Sequence, residues 1–145
     1  MSKQEEAALI LKLYELRREE VMRKARDWYF REFHPQSLED FNNAIFGPHS
    51  GHLRMVITYW EMAAALVHHG AIPLDLFLDT NGEQLSVFAK IEPLLAEIRQ
   101  SYGANFARAL EKLVDLTPDG RKQTAEMRER MKAIAEQLAQ SRSRL

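Results

Sequence analysis

Residues Ser50–Asp79 read SGHLRMVITYWEMAAALVHHGAIPLDLFLD, and this stretch decides the fold. Met55, Val56, Ile57, Tyr59, Trp60, Met62, Leu66 and Val67 recur at helical spacings and leave little of the circumference polar. A helix that is apolar nearly all round belongs in a core, so residues 51–69 are expected to form a largely buried central helix. Ala63, Ala64 and Ala65 let a second helix approach it closely. Gly70 stands where a left-handed residue ends a helix, and Pro73 suits the first turn of a short helix over Leu74–Leu78.

The flanking sequence is helical too. From Lys3 to Phe33, Ile10, Tyr14, Val21, Ala25 and Trp28 recur at steps of three and four, with Arg17 interrupting the stripe. One long amphipathic helix is expected there, ended by His34–Pro35 because proline disfavours helical geometry in the residue before it. Ser37 is a candidate N-cap for a helix over Leu38–Phe46, closed by Gly47–Pro48. Asn81–Gly82 signals a turn. Glu83–Tyr102 follows as a helix that Pro93 must kink or break at Glu92, and Ala104–Leu116 resumes after Gly103. Thr117–Pro118 is expected to cap and open a last helix ending near Ala139.

No alternating run of β-branched residues occurs. The expected architecture is all-α: one domain over residues 1–145, with six or seven helices bundled about the central one and long amphipathic helices at both ends. At 145 residues the chain is long enough to bury a core, and its 46% hydrophobic and 28% charged residues are those of an ordinary globular protein.

Composition removes several functions. With no cysteine there is no disulfide, thiolate nucleophile or zinc–thiolate site, which suits a cytoplasmic location. The first twenty residues carry acids before their apolar run and lack a small-residue cleavage site, so no secretory signal is expected. The run Met55–Val67 is too short for a membrane span and contains Glu61. Charge is uneven along the chain. Residues 1–31 carry eight basic and six acidic side chains, residues 32–116 five and eleven, and residues 117–145 seven and four. Mildly basic terminal helices against an acidic body are the simplest reading. Arg17, Arg18, Arg23, Lys24 and Arg26, like Arg121, Lys122, Arg128, Arg130 and Lys132, are interleaved with acids, so nucleic-acid binding ranks last.

The segment from Trp60 to Arg99 also carries a resemblance. Tyr59–Trp60–Glu61 is followed by Leu66–Val67–His68–His69–Gly70, then Ile72, Asp75, the Asn81–Gly82 turn, Pro93–Leu94–Leu95 and Ile98–Arg99. This pattern resembles a group of uncharacterised bacterial and phage helical proteins catalogued as a domain of unknown function. The likeness covers roughly residues 10–115 and implies a compact helical fold. It implies nothing about chemistry.

Candidate chemistry is sparse. His49 and His52 sit at the entrance to the central helix, and His68 and His69 at its exit, about 24 Å away, so one metal cannot take both pairs. No Glu-x-x-His motif supplies further ligands, and no metal or other cofactor is expected. No nucleophile elbow surrounds Ser37, Ser50, Ser86 or Ser101, and no glycine-rich phosphate loop exists. The GPHSG segment at Gly47–Gly51 is at most a weak anion site at a helix N-terminus.

Glu61 is the residue that asks for an explanation, because a carboxylate on the most apolar helix must be paired or protonated if buried. Arg99 is its expected partner, with Arg54 as an alternative. In the competing reading Glu61 and Arg99 line a ligand pocket walled by Trp60 and Tyr59, and in a third Glu61 faces solvent. On the last helix, Met127, Met131, Ile134 and Leu138 follow steps of four, three and four, a narrow seam of coiled-coil type. That seam is expected either to dock on the first helix or to pair with a second copy or a protein partner. The function expected first is a non-enzymatic interaction or structural accessory module, as a homodimer or with another protein. A ligand-binding or catalytic site at Trp60, Glu61 and Arg99 is the alternative, and weak anion or nucleic-acid binding by the basic terminal helices is the third.

Overall fold

The central helix predicted from the quoted stretch is α4, Ser50–His68, in a computed structural model that describes residues 2–144. Leu53, Val56, Ile57, Tyr59, Trp60, Ala63, Ala64 and Val67 are buried along it. Met62, expected inside, lies 45% exposed, so α4 keeps one narrow face toward solvent. Before α4 come α1 (Lys3–Arg18), α2 (Glu20–Arg31) and α3 (Leu38–Ile45). After it come α5 (Leu74–Thr80), α6 (Glu83–Ile91), a 3-10 turn (Glu92–Leu94), α7 (Leu95–Tyr102), α8 (Arg108–Leu116) and α9 (Gly120–Ser143). The fold is all-helical. Among the described residues, no helix is long and apolar enough to cross a membrane.

Helix α4 lies between α2 and α8, and touches α3, α5 and α6 as well. The small side chains of Ala63 and Ala64, both fully buried, are what the sequence offered for such close approach. Its end is as expected. Gly70 has a φ of 81°, its N–H reaches Val67 O at 3.0 Å, and the Ala71 N–H reaches Leu66 O at 2.9 Å. These bonds satisfy carbonyls that a helix end leaves open. Ser37 caps α3, accepting from the Asp40 N–H at 3.1 Å, and Pro93 breaks α6 from α7 through the 3-10 turn.

Four expectations are corrected. The single helix expected over Lys3–Phe33 is two. Glu19 leaves the helical region with ψ 143°, and its carboxylate accepts from Val21 N and Met22 N, both at 3.2 Å. A glutamate has thus taken the capping task usual for Ser or Asp, where Arg17 had already broken the apolar stripe. The helix expected from Ala104 starts only at Arg108, after Ala107 adopts a left-handed conformation with φ 53°. Thr117 does not cap the last helix. Its hydroxyl donates to Leu113 O at 2.7 Å and closes α8, and α9 begins at Gly120. Finally, α9 docks mainly on α6, with lesser contact to α8, rather than on the first helix.

Candidate functional site

Tyr59, Trp60 and Glu61 are consecutive on α4, and consecutive helical residues point about 100° apart. Each therefore addresses a different neighbour. The Tyr59 hydroxyl donates to Leu13 O at 2.5 Å and pins α1 to the core. Trp60 is fully buried, and its indole N–H donates to Glu83 Oε2 at 3.2 Å. Glu83 is in turn gripped by Arg26 of α2, through Nε at 2.9 Å and Nη2 at 2.7 Å. Such a bidentate grip suits a carboxylate held away from water. The Arg17 guanidinium lies over the Trp60 ring, 5.6 Å from its centre, so Trp60 has a cation on one side and an anion at its edge.

Glu61 faces the opposite way. Oε1 accepts from Ala109 N at 2.6 Å and Oε2 from Leu110 N at 3.0 Å. These are first-turn donors of α8, whose own entry residue, Ala107, has no side chain to offer. A carboxylate at a helix N-terminus satisfies open N–H groups and complements the helix dipole. The expected Glu61–Arg99 pair does not form. Arg99 donates Nε to Phe106 O at 2.9 Å and pairs Nη1 with Glu111 at 2.9 Å, while its Nη2 is buried without a partner. The physical reason is supply: two vacant backbone donors beside Glu61 outcompete an arginine whose nearer carboxylate is Glu111.

Replacing Glu61 by Ala should therefore cost about 2 kcal/mol in unfolding free energy, as charged acceptors of backbone bonds do. The loss should appear as raised amide exchange across the first turn of α8. Exchange unchanged at Ala109 and Leu110 would refute the cap.

A second cluster was not visible in the sequence. Lys90 of α6 is only 8% exposed, and no carboxylate among the described residues pairs with it. Its Nζ donates to Phe33 O at 2.6 Å and lies 3.1 Å from His34 Nδ1. His34 Nε2 lies 3.0 Å from Arg31 O, which can only accept, so Nε2 carries the proton and Nδ1 accepts from Lys90. Burial pushes the Lys90 amine down to about 8. Burial and the Lys90 charge together hold His34 below the usual histidine range. Arrangements of this kind mark functional sites in some proteins. Here the amine is enclosed by Tyr29, Phe30 and the chain just past α2, and it ties that chain to α6.

The linkage has a definite sign. An unfolded lysine holds its proton to about pH 10.4, whereas Lys90 in the fold releases it near 8. Between these values the unfolded state binds more protons, so stability rises with pH, by up to about 3 kcal/mol. Urea titrations of the wild-type chain between pH 7.5 and 9 should show that rise, and Lys90→Met should lack it. Tyr29 and Tyr59, both held neutral by burial, oppose the trend as unfolded tyrosine ionises at about pH 10, so the rise is clearest below about pH 9. Equal pH slopes for both proteins would disprove the assignment.

The remaining charges lock the last helix. Arg121 of α9 donates to Glu92 at 2.6 Å, Glu111 at 2.9 Å and Asp115 at 2.7 Å, and Arg128 pairs with Glu92. Burial pushes the Glu111 carboxyl up, but hydrogen bonds from Arg121 and Arg99 outweigh it and hold the group below the usual range. Arg128 Nε also donates to Ala89 O at 2.9 Å, and Ser86 Oγ donates to Met127 Sδ at 3.1 Å. Pairing of Glu92 with Arg121 and of Ser86 with Met127 makes α6 and α9 antiparallel.

Of the seam expected on α9, Met127 is therefore docked and Met131 is half-buried. Ile134 and Leu138 stand 58% and 54% exposed. From Met131 to Ser143 the helix continues for about 18 Å as an arm. Two open clefts mark the surface elsewhere. One, of about 440 Å³, lies at the bend between α1 and α2, lined by Tyr14, Glu15, Leu16, Arg18 and Glu19. The other, of about 350 Å³, has His34, Asp40 and Asn43 on its wall. Neither is lined by Tyr59, Trp60, Glu61 or Arg99. His49 stacks on Trp28 with ring centres 5.3 Å apart, and His68 lies 3.3 Å from Lys112 Nζ. Among the described residues, no three His, Asp or Glu side chains converge as a metal site needs.

One family model, described as a domain of unknown function (DUF4760), matches residues 4–116. Among curated proteins and among solved structures, nothing matches the chain.

Proposed function

The chain belongs to the DUF4760 family, whose matched stretch covers α1 to α8 and stops short of α9, and from that division we propose that it is a non-enzymatic interaction module. The helical body is the base, and the distal half of α9 is an arm that takes a helix of a partner protein. The observation that carries this reading is the half-used seam. Met127 is packed on the body, while Ile134 and Leu138 continue the same stripe and stand more than half exposed. Helix faces of this narrow spacing are built to meet another helix.

The polar side chains support the same reading. Glu61 is spent on the N-terminus of α8, Glu83 on Arg26 and Trp60, Arg99 on Phe106 and Glu111, and Lys90 on the chain beyond α2. Each ties one element to another. A ligand site at Trp60, Glu61 and Arg99 would need those groups free to converge, whereas Trp60 is spent on Glu83 of α6, and Glu61 and Arg99 are both spent on the start of α8 and the chain before it.

The test uses a synthetic amphipathic helix with leucine at its seam positions and glutamine at its flanks, titrated into the whole chain. Saturable binding that disappears in the Ile134→Glu/Leu138→Glu variant supports the module. That variant alters only exposed positions, so its melting temperature should stay within about 2 °C of the parent. Absence of binding to the parent chain rejects the reading.

A further inference from the structure

The lower half of the α9 seam shows what this helix accepts. Met127 packs against the core and takes a hydrogen bond from Ser86 of α6, and Arg128 beside it donates to the Ala89 carbonyl. At the flank, Glu92 receives Arg128 and Arg121 together. The occupied interface thus joins a methionine packed on the body to an acid that meets arginines at its edge.

The free half repeats the same chemistry without its counterpart. Placing Met131 and Leu138 at the first and Ile134 at the fourth position of a heptad puts Arg128, Arg130, Ala135, Gln137, Arg142 and Arg144 at the flanking positions. No acid is among them. Glu126, Glu129 and Glu136 lie instead on the outer face, away from the seam. Flanking charges set partner choice in paired helices.

Resting on the module reading above, we infer that the arm takes an acid-flanked amphipathic helix of another protein. This helix presents apolar residues to Met131, Ile134 and Leu138, and glutamate or aspartate to Arg130 and Arg142, continuing the line of α6.

A second copy of this chain fits less well. Antiparallel pairing that sets Ile134 against Leu138 of a second copy also brings Arg130 beside Arg144 of that copy and Arg128 beside its Arg142, like charges at both flanks. Parallel pairing keeps arginines apart, but α6 already occupies the seam face at the base of each α9. Two arms could then meet only if their bases were wedged apart by both α6 helices.

The experiment compares three peptides with one leucine seam: flanked by glutamate, by glutamine and by lysine. Each is titrated into the whole chain at low and high salt. The glutamate peptide should bind about tenfold more tightly than the glutamine peptide at low salt, and the lysine peptide about tenfold more weakly. Raising salt should narrow both gaps. Substituting Arg130 and Arg142 by Gln should remove the preference while leaving glutamine-peptide binding in place. Three equal affinities would overturn the charge inference and leave the module standing. Failure of all three peptides would overturn both. A doubled molar mass of the free chain, returned to the monomer value by Ile134→Glu, would assign the face to a second copy and overturn the inference.

Discussion

Trp60→Ala is expected to lower the unfolding free energy by about 4 kcal/mol, the largest loss of any single side chain in this core. Trp60 is the largest fully buried side chain, and it sits where α1, α2, α4 and α6 converge. Two effects add. Truncation leaves a cavity that rigid helices on each side cannot close. It also removes the indole N–H from Glu83, a partly buried carboxylate that keeps only Arg26. Trp60→Phe separates them, because it retains most of the volume and loses only the donor, for about 1–2 kcal/mol. Urea unfolding of the three proteins gives both values. A loss under about 1.5 kcal/mol for the alanine variant would mean that the surrounding helices collapse onto the gap, contrary to the packing described.

The second large effect belongs to Gly120. A Cβ there would stand 1.9 Å from the Val114 carbonyl oxygen and 3.2 Å from Thr117 Cβ. The first obstacle is backbone and cannot rotate aside, so Gly120→Ala must displace the root of α9. The expected cost is about 3 kcal/mol, in the upper range of overpacking. Its signature should be local as well as global. Arg121, the first residue beyond the clash, carries contacts to Glu92, Glu111 and Asp115. Amide protection over residues 121–128 should fall while that of α4 is maintained. Gly51→Ala is the control, since nothing lies within 4 Å of its Cβ in the first turn of α4. That change should be neutral or stabilise by up to about 1 kcal/mol. Equal behaviour of the two variants would dispose of the steric argument.

Interruptions in the helical pattern were only partly legible. Gly70 and Pro93 announced themselves, because a left-handed φ and a missing N–H are properties of the residue itself. Glu19 and Ala107 did not. A glutamate that leaves the helix to cap the next one has the same local sequence as a glutamate within a helix. Ala107 is left-handed against its own preference. The α1–α2 bend and the late start of α8 therefore escaped a reading that took each residue at its usual conformation. Lys90 escaped for a related reason, because its polar position in α6 resembles a solvated one until α2 is packed over it.

The sequence by itself determined the all-α class, the burial of α4, the stop at Gly70 and the seam on α9. All of these follow from periodicities and backbone preferences that act within a few residues. It also singled out Glu61 as a charge in need of a partner. Tertiary structure alone decided who the partners are. Glu61 reaches donors 48 positions away, Arg26 and Lys90 reach acceptors 57 positions away, and α9 turns to α6 rather than α1. A charge leaving water must take the nearest unsatisfied group in space, and spacing along the chain does not encode which group that is. The same holds for the quoted stretch. Its periodicity put Tyr59, Trp60 and Glu61 on one helix, and the helices around it gave each a separate task.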